Sequence, residues 1–235
     1  MDTNPHTPQL VGNRMVLIGA VLYLLEWVAI IGAAVSVPAG AAASPQDVMG
    51  AYTAHAQSFG WAAGWLSVVL LGRVLLATGL RESLRASGRP QPLMDFAVAA
   101  MAVGVAIEIA SIAMTAGAAW FTAQGGGVDA IRAIDAAAYY VDQMIWGPTG
   151  VALLCCGLAM LRSALFPRVL PWIGISGGGL LVAVAVALQA PRFAGLAGGL
   201  TSAALLLWVW MVWTGVLLWR RTTNPAAHTI ASPLA

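Results

Sequence analysis

Six long apolar runs divide this chain, and they constrain its fold more than any motif does. About 20 apolar residues cross the roughly 30 Å hydrocarbon layer of a bilayer as a helix rising 1.5 Å per residue. Within lipid the backbone polar groups must be satisfied inside the segment, so such runs are helical. The runs cover about residues 14–37, 60–80, 93–123, 131–165, 171–189 and 196–219. The expected fold is therefore all-α, a polytopic integral membrane bundle of about six transmembrane helices over residues 14–221. Polar tails at 1–13 and 222–235 are expected to be disordered. Composition agrees: 60% of residues are apolar and 9% charged, against roughly 25% charged in soluble domains.

The segments between the runs carry turn signals. Residues 38–59 read as the longest loop, with Pro38, Pro45, Asp47 and His55. Arg81, Arg85, Arg89, Pro90 and Pro92 form a compact turn, Gly125-Gly126-Gly127 a break, Pro167 and Pro171 a tight turn, and Pro191-Arg192 another. In this layout Arg14, Arg81, Arg85, Arg89, Arg162, Arg168, Arg220 and Arg221 fall on one side, Arg132 and Arg192 on the other. The positive-inside rule makes the first side, and both termini, cytoplasmic in a multi-pass protein of the cell membrane. The first run follows an arginine and precedes small residues, as a signal peptide does. Its length and the Glu26 in its middle argue against cleavage.

All 11 basic residues are arginine. Without lysine there is no Schiff base to retinal or pyridoxal phosphate and no lysine nucleophile. No basic cluster interleaved with aromatics suggests nucleic acid. Adjacent Cys155 and Cys156 point in different directions on a helix and read as small packing residues. His6, His55 and His228 lie in tails or a loop, which excludes haem held by histidines of two helices. No cofactor and no metal site is expected, and hydrolase, phosphate-loop and zinc-protease patterns are absent.

Ionisable groups inside a membrane span are costly and face the bundle interior. Glu26, Arg73 and Glu108 occur at overlapping depths on three consecutive helices, which are usually neighbours. Two readings stand: a polar lock between helices, or a protonatable glutamate acting as donor or relay. Asp95, nearer the end of the third helix, meets water. On the fourth helix Asp135, Tyr139, Asp142, Trp146 and Thr149 recur at three- and four-residue spacing and share a face. That face is either turned to the bundle centre or lines a cavity. Trp146-Gly147-Pro148 predicts a bend. Trp61, Trp65, Trp120, Trp172 and Trp219 fit an interfacial aromatic belt. Trp27, Trp146, Trp208, Trp210 and Trp213 lie deeper; Trp210 and Trp213 share a face, whereas Trp208 points elsewhere. Gly60-x-x-x-Gly64, Gly174-x-x-x-Gly178 and Gly195-x-x-x-Gly199 allow close helix approach, within or between chains.

Three places carry a family resemblance. They are Asn13-Arg14 with Ile18-Gly19 and Leu22-Tyr23-Leu24-Leu25; Glu108 in the third helix; and Phe166-Pro167-Arg168-Val169-Leu170-Pro171-Trp172-Ile173-Gly174 entering the fifth. Over about residues 13 to 220 the chain resembles the bacterial six-helix membrane proteins grouped as domain of unknown function 4386. That family often has an arginine three residues before its glutamate; here the position is Val105, with Arg73 a possible substitute. The resemblance implies a fold and a membrane location, and no activity.

Three functions fit these residues. The first is binding of a lipid-like or amphipathic molecule in the bundle, with Arg73, Tyr139, Trp146, Trp210 and Trp213 as ligand-binding candidates. The second is an enzyme protonating an isoprenoid or other lipid, with Glu26, Glu108 or Asp142 as the acid. The third is a proton-coupled transporter using the same acids. Membrane lipids are expected partners, and a homo-oligomer is possible.

Overall fold

A computed structural model describes residues 7–32, 44–86, 88, 92–163, 165–188 and 202–223. Among them the helices are α1 (Thr7–Leu24), α2 (Glu26–Gly32), α3 (Pro45–Val69), α4 (Leu71–Ala86), α5 (Pro92–Ala123), α6 (Val128–Gln143), α7 (Trp146–Ser163), α8 (Val169–Leu188) and α9 (Ala203–Thr223). They make six spans long and apolar enough to cross a membrane. The protein is thus an all-α, six-helix, multi-pass membrane bundle. The expected starts and ends at residues 1–6, 33–43, 189–201 and 224–235, with Arg89, Arg192 and Gly195-x-x-x-Gly199, lie outside the described residues.

Each span packs on the next in chain order, and α9 returns to α1, which closes a ring. Because successive spans alternate in direction, Arg14, Arg81, Arg85, Arg162, Arg168, Arg220 and Arg221 gather at one end. Arg132 lies at the other.

Three spans are broken: the first at Leu25, the second at Leu70, the fourth at Met144–Ile145. At Leu25 the carbonyl accepts the Trp65 indole N–H at 2.8 Å and the Val28 N–H at 3.1 Å. A side chain inserted in the ladder is a recognised cause of a kink. In the fourth span Pro148 offers no N–H to the Met144 carbonyl and crowds it, so the expected bend falls one turn before the proline. Trp65 therefore braces a break and is half-buried, whereas Trp120, Trp172 and Trp219 are exposed near helix ends and Trp61 is exposed within α3.

On the arginine-rich side of the breaks, glycines bring backbones together. A Cβ on Gly19 would lie 2.5 Å from the Gly72 carbonyl oxygen, and one on Gly72 would lie 2.5 Å from that of Gly19. Gly12 and Gly79 repeat the contact one heptad away, at 2.9 and 2.7 Å from each other's carbonyl. Gly150 and Gly178 join α7 to α8 in the same way. Gly60 and Gly64, matched to the same pattern, meet nothing within 4 Å.

Two sequence expectations need correction. Residues 45–59 are helical rather than part of a loop. Ser44 caps α3, its Oγ accepting the Asp47 N–H at 3.1 Å, and Pro45 occupies a first-turn position where its missing N–H costs nothing. Val48, Tyr52 and Phe59 then bury against Ala118, Ala119 and Ile131. His55 lies inside this helix at a kink (φ −128°, ψ 19°). Helix α1 likewise starts at Thr7, ahead of the expected Arg14. Asn13 is buried there, its Oδ1 accepting the Ser83 hydroxyl at 2.9 Å. The break at 125–127 is present, with Gly125 at φ 78°.

Candidate acid-rich centre

Asp95 pairs with Arg81 at 2.5 Å near the arginine-rich end of α5, where the sequence expected it to meet water, and it is exposed. This pair marks one edge of the span. At 1.5 Å per residue, Arg73 lies about 12 Å inward from it and Glu108 about 20 Å. Measured from Arg14, Glu26 lies about 18 Å in; measured from Arg162, Asp142 lies about 30 Å in. The first three groups sit at mid-membrane depth, and Asp142 reaches the opposite edge.

Arg73 is only 2% exposed and forms an ion pair with Glu108, which is 18% exposed. Its guanidinium also stacks over the Tyr23 ring, 4.9 Å from the centroid. Tyr23 hydrogen-bonds the Glu26 carboxylate, and the Trp208 indole N–H donates to the Tyr23 hydroxyl. Glu26 and Asp142 both feel the field of Arg73. One arginine from the second span is thus shared by acids from the first, third and fourth. Trp27 and Trp208 meet edge to face at 4.5 Å beside this group, and Tyr23 meets Trp208 edge to face at 6.2 Å.

At mid-membrane depth two carboxylates, Glu26 and Glu108, against one guanidinium would leave one uncompensated negative charge. An unpaired charge is costly at this depth. The centre therefore takes up positive charge, as protons or as a cation. Among the described residues no three acidic, histidine or cysteine side chains converge closely enough to hold a metal ion.

The other candidates are dispersed. Asp135 is buried and accepts the Tyr52 hydroxyl at 2.6 Å. Tyr139 is half-buried against the exposed Tyr140. Trp146 is half-buried with its indole N–H unpartnered, as is the hydroxyl of the fully buried Thr149. Trp210 is fully buried with its indole nitrogen beside Gly174. Trp213, 40% exposed, faces outward and is no part of the centre. The rotation of about 60° between residues three apart on a helix takes it past the edge of the packed face. The indole nearest the centre is Trp208, which the sequence placed apart. Tyr23 and Ser111 were also missed; each stands three residues from a membrane glutamate, a spacing that puts it on the same helical face.

The fold and this site define a six-span membrane protein with a buried arginine–carboxyl centre. Residues 17–221 match the family described as Domain of unknown function (DUF4386), and the chain belongs to it. Neither a curated protein nor a solved structure matches the chain.

Proposed function

We propose that this protein binds an amphipathic molecule within the bundle, its cationic head at the Arg73 centre and its apolar part along Trp27 and Trp208. One observation carries this reading: the buried Arg73 pairs with Glu108 within the field of a second mid-depth acid, Glu26, near an edge-to-face indole pair. The excess of acid favours a positive head, and indole faces attract cations. The apolar surroundings suit an acyl or ring system rather than a hydrated ion. We place the protein in the cell membrane with both termini cytoplasmic, because the arginine-rich end then obeys the positive-inside rule. Membrane lipids are the partners on the outer face of the ring.

Extraction into native-lipid nanodiscs followed by mass spectrometry tests the reading. A discrete cationic amphipath is expected with the wild type and at least tenfold less with Glu26→Gln or Trp208→Phe. Bulk lipid alone in all three preparations would refute ligand binding at this centre.

A further inference from the structure

The two halves of the bundle differ in what separates the centre from water. Toward the arginine-rich end the path is closed. Gly19 meets Gly72 and Gly150 meets Gly178 backbone to backbone, and Leu76 and Leu80 are fully buried just beyond Arg73. The Asn13–Ser83 hydrogen bond comes only after these leucines, at the level of the arginines.

Toward the arginine-poor end the interface between α5 and the fourth span carries a polar side chain at each turn from Glu108 to Thr115. Beyond Thr115 it closes on the apolar cluster of Ala118, Ala119 and Ile131, so the half-buried Asp142 is the group through which this seam meets water. Glu108, Ser111 and Thr115 follow at three- and four-residue spacing on one face of α5. Ser111 Oγ lies 3.0 Å from the Ala138 carbonyl oxygen and 3.5 Å from Asp142 Oδ1. Thr115 Oγ1 donates to the Ser111 carbonyl at 3.1 Å, and the Tyr52 hydroxyl donates to Asp135 at 2.6 Å. Counted from Asp95, Thr115 stands about 30 Å along α5, at the far edge of the hydrocarbon. At the inner end of this seam, the unpartnered hydroxyl of fully buried Thr149 faces Gly104, one turn from Glu108. Such a group calls for a water or ligand partner. The seam therefore links the buried ion pair to the edge of the membrane by short polar steps.

We infer that the Arg73–Glu108 centre exchanges protons with one side of the membrane only, the arginine-poor side, along the seam between α5 and the fourth span. A proton from water on that side passes by way of Asp142 to Glu108, through waters held by Ser111 and Thr115, and no other bond changes. The groups facing this route are Arg73 from α4, Tyr23 and Glu26 from the first span, Tyr52 from α3, and Asp135 and Asp142 from α6. Helix α8 contains no ionisable residue, and the arginines of α9 stand at its end. Cys155 and Cys156 of α7 sit about two turns below Thr149, toward the closed end. The inference is independent of which molecule, if any, the centre binds.

The test uses the full chain in uniformly oriented proteoliposomes buffered separately on each side, followed by infrared spectroscopy of the carboxylic acid C=O band. The band is expected to follow the pH on the arginine-poor side and to ignore the other. Ser111→Ala with Thr115→Val, which keep the local shape, should slow the response at least tenfold. Glu108→Gln with Asp142→Asn should abolish most of it. A band that follows the arginine-rich side, follows both sides, or does not respond overturns the inference. So does an unchanged rate in the folded Ser111→Ala, Thr115→Val variant, with folding checked by size-exclusion chromatography.

Discussion

Arg73 is the residue on which the interior depends. It is buried, carries the positive charge at mid-depth, and is shared by Glu108, Glu26, Asp142 and the Tyr23 ring. Removing one partner of a buried pair leaves the other uncompensated, a loss of about 3–5 kcal/mol. Arg73→Leu should therefore lower the thermal unfolding midpoint in detergent sharply. Arg73→Leu combined with Glu108→Gln should cost less than the sum of the two single changes, because the orphaned charge is gone. Additive costs would mean that the pair is not coupled. Glu26, Arg73 and Glu108 were readable in the sequence because a charge inside an apolar run stands out. Tyr23, Ser111 and Trp208 were not, because tyrosine, serine and tryptophan are ordinary in membrane helices. What makes them part of the centre is the rotation of each helix about its axis. That same rotation turned Trp213 outward and brought Trp208 in, a difference set by packing between spans.

Helices are locked together here by glycine on one side of the breaks and left freer on the other. Gly19 tolerates no Cβ, since the atoms it would meet are backbone of α4 and cannot swing aside. Gly19→Ala should destabilise by about 1–3 kcal/mol, the usual cost of overpacking. Gly64→Ala meets open space, so it should be neutral or gain up to about 1 kcal/mol of helix propensity. Thermal unfolding of the two variants side by side checks this; equal midpoints would rule out a structural difference between the two glycines. The positions of the spans were legible from apolar run length. The choice among glycine patterns was not, because 26 glycines make chance matches common and only the facing helix decides which one packs. The start of α3 was missed for a related reason. Pro45 punctuates a loop and equally opens a helix, and it is the Ser44–Asp47 cap together with burial of Val48 and Tyr52 that settles the matter.

As a whole, the molecule is longer on one side than the bilayer requires. The second span runs Pro45–Ala86, about 63 Å at 1.5 Å per residue, and the fourth runs Val128–Ser163, about 54 Å. With the arginine-rich ends at one edge of the hydrocarbon, the first part of α3, the end of α5 and the start of α6 project beyond the other edge as a helical cap. Tyr52 and Asp135 hold that cap together. That consecutive spans are neighbours was legible from short connections; the return of α9 to α1 was not, and neither was the cap, because its helices continue membrane spans without a change of pattern. Charge asymmetry and cap together define a topology that labelling can decide. In a variant with Cys155→Ala and Cys156→Ala, a cysteine at exposed Asp129 should react with a membrane-impermeant thiol reagent in intact cells. A cysteine at exposed Arg85 should react only in inverted membrane vesicles. If Arg85→Cys were the one labelled in intact cells, the orientation would be reversed, and the proton route along α5 would then open to the cytoplasm instead.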